Sequence, residues 1–318
     1  MRILVTGAGG FVGRPLCREL FRRGYQVTGA MRSRGQLSTA GETVVVGEID
    51  ASTKWADALK GVDTVIHLAA RVHVMKDKAA DPLTEFLKVN LYGTANLAQQ
   101  AVNTGVKRLV YVSSVKVNGE QTAGGQFFSE MDEPDPQDPY AVSKLQAEQV
   151  LQNIAGESGI EIVIVRPPLV YGPGVKGNFF SLLAAIDKGV PLPLAGAQNL
   201  RSLVYVDNLV DALIVCATHP AAAGNTYLVS DGEDVSTTML VEKISHALGR
   251  SNRSFYIPPG LLRVATAALR KTSLMNRLFG TLRVNDQKLR GELNWIPPYS
   301  MEHGLRATTD WYRERAPD

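Results

Sequence analysis

The chain opens on Arg2-Ile-Leu-Val-Thr6-Gly7-Ala-Gly-Gly10-Phe-Val-Gly13, an apolar run that breaks into spaced glycines. The apolar residues predict a buried strand, and residues 15–23 predict a helix. Between a strand and a helix, this glycine spacing is typical of a dinucleotide-binding turn. Gly7 allows the sharp turn, Gly10 lets backbone N–H groups approach a pyrophosphate, and Gly13 allows helix and strand to pack closely. A glycine-rich turn without a ligand is the alternative.

Strand-like runs alternate with helical patterns after this first unit. Strands are predicted at residues 25–30, 44–46, 63–70, 108–114, 161–168 and 225–229, and helices at residues 55–59 and 83–103. This alternation is typical of an α/β fold, a doubly wound parallel sheet of the Rossmann type. We expect residues 1–169 to form the dinucleotide-binding domain, with residues 203–230 returning to it. Residues 170–202 and 231–318 are expected to form a smaller C-terminal α+β substrate domain.

Composition narrows the class of protein. The 318 residues are 45% hydrophobic and 20% charged, as in soluble globular chains, and the formal charge of +3 is too small to imply nucleic acid. We expect no membrane span and no signal peptide, because the apolar runs are short. Cys17 and Cys216 form no disulfide framework and favour a reducing cytoplasm. His67, His73 and His246 lack metal-ligand spacing, so no metal site is predicted.

The end of the second predicted strand indicates the cofactor. A carboxylate at this place binds the adenosine ribose of NAD, whereas a basic residue accommodates the 2′-phosphate of NADP. Here the chain reads Met31-Arg32-Ser33-Arg34 and has no carboxylate. The sequence therefore predicts NADP, with NAD as the second choice. A solvated loop of arginines is the structural alternative.

A phenol and an ammonium stand four residues apart in Tyr140-Ala-Val-Ser-Lys144. On a helix the two side chains share one face, and Asp138-Pro139 supplies a capping residue and a favoured first helical residue. A nearby cation stabilises a phenolate and lowers the pKa of the phenol, so the pair suits acid/base chemistry near neutral pH. A surface or core pair without a chemical task is the alternative.

Six motifs together resemble the extended short-chain dehydrogenase/reductase family, in its nucleotide-sugar epimerase/dehydratase branch. They are the glycine turn, His67-Leu68-Ala69-Ala70, Ser113-Ser114, Tyr140-x-x-x-Lys144, Arg166-Pro167 and Tyr171-Gly172-Pro173. The resemblance covers nearly the whole chain and implies a catalytic triad of Ser114, Tyr140 and Lys144. It implies that Ser114 bonds the reacting sugar oxygen and Tyr140 passes the proton. Lys144 is expected to hold the nicotinamide ribose and to lower the pKa of Tyr140.

The resemblance also implies binding residues. For the cofactor they are Gly7, Gly10, Phe11, Val12, Gly13, Arg32, Glu48, Ile49, Leu68, Ala69, Ala70, Tyr140, Lys144 and Pro167. Glu48 and Ile49 are expected at the adenine, and Asn90 is either structural or on the cofactor side. Asn178 and Arg201 are expected at the substrate diphosphate, because a bidentate Arg suits phosphate; a surface ion pair is the alternative for Arg201. Asp207 is interpreted as a helix cap.

Departures from the family pattern refine the expected reaction. The 4,6-dehydratases of the family carry Asp-Glu after the triad Ser or Thr, whereas this chain has Val115-Lys116, which disfavours dehydration. The basic end of the second strand favours exchangeable NADPH and hence net reduction. We expect C4 reduction of a nucleotide-linked 4-keto-6-deoxy amino sugar in cell-surface polysaccharide (O-antigen) synthesis, with UDP as the expected carrier and a lipid carrier as the alternative. An NAD-dependent UDP-sugar 4-epimerase and a non-catalytic dinucleotide sensor are the alternatives.

Two expectations concern assembly and surfaces. The helices near residues 83–103 and 140–154 resemble those that pair as a four-helix bundle in family dimers, so a two-fold homodimer is predicted. Residues 261–284 mix apolar residues with five basic ones and contain no acidic residue. Such a basic amphipathic stretch suits peripheral contact with an anionic membrane. A pair of substrate-domain helices with a solvated face is the alternative.

Overall fold

Seven parallel strands form the larger of two sheets in this computed structural model, which describes residues 1–33, 41–72, 81–258 and 279–315. The described strands are β1 (Arg2–Thr6), β2 (Gln26–Met31), β3 (Glu42–Val45), β4 (Thr64–His67), β5 (Arg108–Val112), β6 (Glu161–Arg166), β7 (Leu169–Tyr171), β8 (Arg201–Tyr205), β9 (Thr226–Leu228) and β10 (Asp234–Val235). The larger sheet has the order β3-β2-β1-β4-β5-β6-β9. The strand order reverses between β1 and β4, because β2 and β3 lie on one side of β1 whereas β4, β5 and β6 lie on the other. This confirms the predicted doubly wound arrangement.

Helices cover both faces of this sheet. The described α-helices are α1 (Gly13–Arg22), α2 (Ala56–Leu59), α3 (Pro82–Leu87), α4 (Thr94–Asn103), α5 (Pro139–Ser158), α6 (Gly177–Asp187), α7 (Val206–Thr218), α8 (Thr237–Ala247), α9 (Gln287–Leu293) and α10 (Met301–Arg313). On one face, α1 and α7 pack through Leu16 and Leu213. On the other face, α4 and α5 pack through Leu97 and Leu151. Because both faces are covered, the strands are continuous apolar runs.

Residues 83–103, predicted as one helix, form α3 and α4 joined by a π-helical segment, Lys88–Gly93. A Cβ on Gly93 would lie 2.6 Å from Cγ2 of Ile49, so only glycine lets the helix pass the loop after β3. Asn90 is buried within the same segment, and its side chain bonds the backbone of Arg71. Such π-segments interrupt regular helical bonding and are frequent at functional sites.

Asp207 does not cap the helix after β8, so that expectation is wrong. α7 begins at Val206 with Tyr205 as its N-cap, which places Asp207 inside the first turn. The Tyr205 hydroxyl donates to the Asp207 carboxylate at 2.9 Å. A carboxylate in the first turn still interacts favourably with the helix dipole.

The smaller sheet has the order β10-β8-β7, with β7 parallel and β10 antiparallel to β8. Helices α6, α8 and α10 pack against it around Leu183, Val241 and Leu305. Residues 201–205 pair in this sheet, whereas α7 and β9 pack with the larger sheet. The predicted domain division stays a prediction. Of the basic stretch 261–284, residues 261–278 lie outside the described residues.

Three of the expectations drawn from composition concern whole-chain features. Within the described ranges, no helix combines the length and the apolar character needed to cross a bilayer. The same ranges hold no group of three or more His, Cys, Asp or Glu residues arranged to bind a metal ion. Cys17 and Cys216 are free and buried, and burial raises the pKa of each thiol to about 12. Neither thiol is therefore reactive near neutral pH.

Candidate active site

The glycine turn joins β1 to α1. Gly7 has a φ of 68°, in the left-handed region, and its carbonyl accepts a hydrogen bond from the N–H of Gly10 at 2.8 Å. A Cβ on Gly13 would lie 2.2 Å from that carbonyl oxygen, so no larger residue fits there. α1 begins at Gly13 and has no acidic residue in its first turn. The positive end of this helix is therefore suited to a diphosphate.

The segment after β4 lies against the glycine turn. A Cβ on Gly7 would lie 3.0 Å from the backbone nitrogen of Ala69, whose N–H donates to Oγ1 of Thr6 at 3.1 Å. This close approach requires small residues and fixes the ends of β1 and β4 relative to each other. The three predicted cofactor residues of this segment, Leu68, Ala69 and Ala70, are all partly buried.

Phe11 and Val12 extend the turn toward the smaller sheet. A Cβ on Gly174, in the loop after β7, would lie 3.4 Å from the Phe11 ring. Phe11 and Val12 also pack against the core that includes Tyr171. The glycine turn therefore contacts elements of both sheets, at the place where a ligand bound by both would lie.

The end of β2 presents Arg32 to solvent. Met31 is buried, and its sulfur would lie 3.5 Å from a Cβ on Gly9. Arg32 follows directly and is exposed, so its guanidinium is available beside the turn. Arg34, the other predicted basic residue, lies outside the described residues.

The loop after β3 runs beside the end of β2. The N–H of Val46 donates to the carbonyl of Met31 at 3.0 Å. Beyond it, Glu48 is exposed and Ile49 is partly buried, with Ile49 close to Gly93. The two residues expected at the adenine therefore border the same edge of the sheet as Arg32.

The structure brings the three predicted triad residues together. Ser114 follows β5 and Tyr140 lies near the start of α5, and the Ser114 side chain is close enough to Tyr140 to lower its pKa. Lys144 lies one turn further along α5 and is 2% exposed, and its Nζ donates to the carbonyl of Val112 at 2.7 Å. Ser113 is buried and its N–H bonds the carbonyl of Val165, whereas Ser114 is partly exposed. Of the two serines, the geometry favours Ser114.

The pKa of Tyr140 is raised, not lowered as expected. Burial raises the pKa of Tyr140 to about 12, the Asp138 carboxylate adds to the rise, and the hydrogen bond with Ser114 opposes it. Burial lowers the pKa of Lys144 to about 7, while Glu148 opposes this shift. Desolvation is the largest cause of both shifts, because each charged form loses its hydration on burial.

Asn90 has a structural role. Its Nδ2 donates to the carbonyl of Arg71 at 3.0 Å and to Oγ of Ser143 at 2.9 Å, and its Oδ1 accepts from the N–H of Arg71 at 2.8 Å. The Ser143 hydroxyl in turn donates to the carbonyl of Tyr140 at 2.7 Å. Asn90 therefore holds the segment after β4 against the helix that carries Tyr140 and Lys144.

His67 is a buried structural residue beside the site, a role that the sequence analysis did not predict. His67 bonds Thr6 at 2.6 Å through Nδ1 and Thr94 at 3.0 Å through Nε2. Burial lowers the pKa of His67 to about 3, and the charge of Lys144 contributes. A polar residue in an otherwise apolar strand was the available signal, because buried polar groups need partners.

A buried ion pair anchors the middle of α5. Arg166, at the end of β6, binds both carboxylate oxygens of Glu148 at 3.0 and 2.5 Å and the Oδ1 of Asn118 at 3.1 Å. Both charged side chains are less than a tenth exposed. Pro167 is buried beside Arg166, and its carbonyl accepts from the N–H of Val115 at 3.0 Å. The Arg166-Pro167 motif therefore holds in place both α5 and the segment that follows Ser114.

The predicted substrate residues lie on the smaller-sheet side. Arg201 is partly buried at the start of β8, and its Nη1 donates to the carbonyl of Gly280 at 2.9 Å; burial lowers its pKa. Asn178 is exposed in the first turn of α6. Sequence reasoning gave no separate role to Arg283, whose guanidinium lies 3.8 Å over the Phe127 ring.

Several known proteins are similar to this chain. A family model described as "NAD dependent epimerase/dehydratase family" matches residues 3–230. The "UDP-glucose 4-epimerase" of Vibrio cholerae is 43% identical over 308 residues, which cover 96% of this chain and 94% of that protein. The "N-acetyl-alpha-D-glucosaminyl-diphospho-ditrans,octacis-undecaprenol 4-epimerase" of Escherichia coli O157:H7 is 29% identical over 261 residues, covering 80% and 75%. MoeE5 in complex with UDP-glucose and NAD superposes with a TM-score of 0.79 at 27% identity and covers 99% of both chains.

Sequence and structure agree on the class of enzyme. The family match covers most of the chain, and the solved structure is similar over its whole length. The seven-stranded parallel sheet, the glycine turn and the grouping of Ser114, Tyr140 and Lys144 are the structural features that correspond to this match. The chain belongs to the NAD dependent epimerase/dehydratase family, among the extended short-chain dehydrogenases/reductases.

Proposed function

We propose that this enzyme interconverts the C4 epimers of a UDP-linked sugar by oxidation and re-reduction at C4. The observation that carries the proposal is the approach of Ser114 to Tyr140, with Lys144 one helical turn away on the same helix. Similarity to two proteins named as 4-epimerases favours this function over the 4-ketoreductase expected from the sequence. The proposed reaction therefore changes from 4-ketoreduction to 4-epimerisation, and C4 remains the reacting carbon.

The residues present fit a nicotinamide dinucleotide. The turn has no room for a Cβ at Gly13, and α1 offers its positive end without a competing carboxylate in the first turn. When bound, the dinucleotide supplies the acceptor and donor of the hydride. Gly10 would receive the diphosphate, and Lys144 would hold the ribose next to the nicotinamide.

The triad residues would handle the oxygen at C4 of the sugar. Tyr140 would take the hydroxyl proton as the carbon is oxidised and return it after re-reduction, and Ser114 would hold the oxygen in place. A positive Lys144 beside this pair would stabilise the phenolate, which accepts the proton in the first half of the cycle and re-forms when the proton is returned in the second half. Because burial keeps Tyr140 protonated at neutral pH, this stabilisation must come from the loaded site.

Arg201 and Asn178 are proposed to bind the diphosphate of the substrate. Arg201 lies partly buried on the smaller sheet, where a guanidinium desolvated in this way gains most from an anionic partner. The E. coli relative is named for a diphospho-undecaprenol substrate. A lipid-linked sugar diphosphate is therefore the second carrier to test beside UDP.

One observation favours a second candidate, the 4-ketoreductase. β2 ends in Met31 and the exposed Arg32 without a carboxylate, which suits NADPH. Because burial raises the pKa of Tyr140 to about 12, its hydroxyl is protonated at neutral pH, which is the form that can donate a proton to a ketone. The amino sugar substrate and the role in O-antigen synthesis belong to this second candidate.

The assembly and compartment are also proposed. Helices α4 and α5 pack side by side, and Tyr92 on the π-segment is 53% exposed, which supports pairing of this face in a two-fold homodimer. The two free, buried cysteines favour a reducing cytoplasm. The division into a dinucleotide domain and a substrate domain follows the two sheets in outline.

The test is an incubation of the purified protein with UDP-glucose, UDP-galactose and their N-acetyl amino forms. Chromatography would follow the C4 epimer, and absorbance would follow nicotinamide oxidation. An epimerase forms the epimer without net consumption of cofactor, whereas a reductase consumes NADPH in proportion to a keto sugar supplied. Identification of the cofactor released on denaturation separates NAD from NADP. No epimer from these sugars, together with no NADPH consumption when a UDP-linked 4-keto sugar is supplied, would count against C4 chemistry and favour a dinucleotide sensor.

A further inference from the structure

Lys116 links the two halves of the triad. It lies two residues after Ser114, and its Nζ contacts Oδ2 of Asp138, two residues before Tyr140. Ser114 itself caps the short turn that contains Lys116, since its Oγ accepts from the N–H of Lys116 at 3.3 Å. One ion pair therefore joins the loop of Ser114 to the helix of Tyr140.

The two carboxylate oxygens of Asp138 contact different groups. Oδ1 accepts from the N–H of Ala141 at 2.7 Å and caps α5, while Oδ2 meets Lys116. The side chains of Lys116 and Asp138 are 32% and 25% exposed, so the pair is partly screened by water. Lys116 also approaches Glu120 at 3.4 Å.

Among the residues that the structure describes, few charges lie near the Tyr140 phenol. From its own helix come Asp138, which raises the pKa of Tyr140, and Lys144; Glu148 lies a further turn along. β5 contributes the hydroxyls of Tyr111 and Ser114, both uncharged. α3 contributes the ring of Phe86, whose centroid lies 6.0 Å from that of Tyr140 in an edge-on arrangement. The guanidinium of Arg71 lies over this Phe86 ring. Asp138 is therefore the negative charge that raises the pKa of Tyr140, and its ion-pair partner Lys116 affects how large this rise is.

We propose that Lys116 is a positioning residue that acts through Asp138, offsetting its negative charge beside Tyr140 and holding the Ser114 loop against the start of α5. The inference rests on the proposed acid/base function of Tyr140. It gives Lys116, which replaces an acid of the dehydratase branch, a task in proton transfer at C4. The ion pair lets a capping carboxylate stay next to a phenol that must ionise.

The physical consequence is a set of opposite shifts. A carboxylate close to a phenol disfavours the phenolate, and a cation paired with that carboxylate weakens the effect. Lys116→Met removes a cation paired with Asp138 and should raise the pKa of Tyr140. Asp138→Asn removes the charge and keeps a good N-cap, because Asn caps as well as Asp, and should lower it.

The experiment measures turnover of the C4 substrate against pH for the full-length variants. Lys116→Met should move the midpoint of the Tyr140 limb upward by about half a pH unit, roughly a three-fold change in turnover on the steep part. Asp138→Asn should move it downward. In the Asp138→Asn background, Lys116→Met should have little further effect, since the charge through which it acts is gone.

Controls separate the charge from the fold. Lys116→Arg keeps the cation and should restore the wild-type midpoint, and Glu120→Gln removes only the other partner of Lys116 and should leave it unchanged. Equal midpoints in wild type, Lys116→Met and Asp138→Asn would overturn the inference. If Tyr140→Phe retains wild-type turnover, the proposed function fails; if Tyr140→Phe is inactive and the midpoints are equal, only the role of Lys116 fails.

Discussion

The Nζ of Lys144 lies 4.2 Å from the centroid of the Tyr111 ring and 2.7 Å from the carbonyl oxygen of Val112. Both contacts stabilise a cation, but the aromatic ring and the carbonyl oxygen carry only partial negative charge. Lys144 is 2% exposed, and burial lowers its pKa to about 7 although Glu148 opposes the shift. The lysine proposed to hold the ribose therefore lies in a site that costs folding stability when the side chain is charged.

The first prediction concerns that cost. The pKa of Lys144 falls from 10.5 in the unfolded chain to about 7 in the folded one, so between these values the unfolded state binds the extra proton. Wild-type stability should therefore rise with pH across this window relative to a variant without the amine. Lys144→Met should be more stable than wild type at pH 6, with an advantage that shrinks toward pH 10. Urea unfolding at several pH values measures this difference.

The exposed Lys107 supplies the matched control. Lys107→Met removes a solvated amine and should show no such pH dependence relative to wild type. A constant difference between Lys144→Met and wild type from pH 6 to 10 would contradict the shifted pKa.

The second prediction concerns the triad. Tyr140→Phe keeps the ring against Phe86 and removes the hydroxyl, so turnover should fall by about 10²–10⁴-fold while cofactor affinity is nearly unchanged. Ser114→Ala should be milder, because Tyr140 still transfers the proton. Steady-state turnover beside cofactor titration checks both, with Tyr256→Phe, an exposed tyrosine, as control. If Tyr140→Phe kept more than about a tenth of wild-type turnover, the loss would be too small for the removal of a general acid.

The third prediction concerns the cofactor. Arg32 is exposed at the end of β2 while Met31 is buried, so the charge at residue 32 is the accessible determinant. Arg32→Glu should weaken NADPH binding and leave NADH binding equal or tighter, because the added carboxylate repels the 2′-phosphate and can accept from a ribose hydroxyl. Fluorescence titration with both cofactors measures the ratio. Arg306→Gln, on the exposed face of α10, removes a comparable surface charge and should leave the ratio unchanged.

The fourth prediction concerns assembly. Tyr92 is 53% exposed on the face proposed for the dimer, so Tyr92→Glu should weaken association by placing charges against each other across the two-fold axis. Phe21, which is 54% exposed on α1, provides a control of equal exposure away from that face. Phe21→Glu should sediment like wild type. A monomeric wild type at micromolar concentration would rule out the dimer.

The fifth prediction concerns acid stability. The pKa of His67 falls from 6.5 to about 3 on folding, so the unfolded state binds an extra proton between these values. Stability should decline as pH falls through this window, by about 1.4 kcal/mol per pH unit for one proton. His67→Gln cannot bind this proton and should show a shallower decline, even if it is less stable at pH 7. His246→Gln, on exposed α8 surface, is the control, and equal slopes for wild type and His67→Gln would contradict the prediction.

Much of the site could be predicted because it depends on local pattern. The turn through Gly7, Gly10 and Gly13 and the start of α5 at Asp138 are encoded within a few residues each. Asn90 could not be resolved from the sequence, because its partners Arg71 and Ser143 come from other elements. Asp207 was misassigned as a cap because a helix boundary shifts by one or two residues without changing the apolar pattern.

The amino-acid sequence by itself determined the doubly wound sheet and the glycine turn, since periodicity and short motifs carry them. The resemblance to the family predicts Ser114, Tyr140 and Lys144 as the triad. Only the tertiary structure decided the ionisation of that triad. Burial raises the pKa of Tyr140 and lowers that of Lys144, and the Lys116–Asp138 pair forms between segments 22 residues apart. The physical reason is that desolvation and charge pairing depend on which groups meet in three dimensions, and no spacing along the chain specifies that.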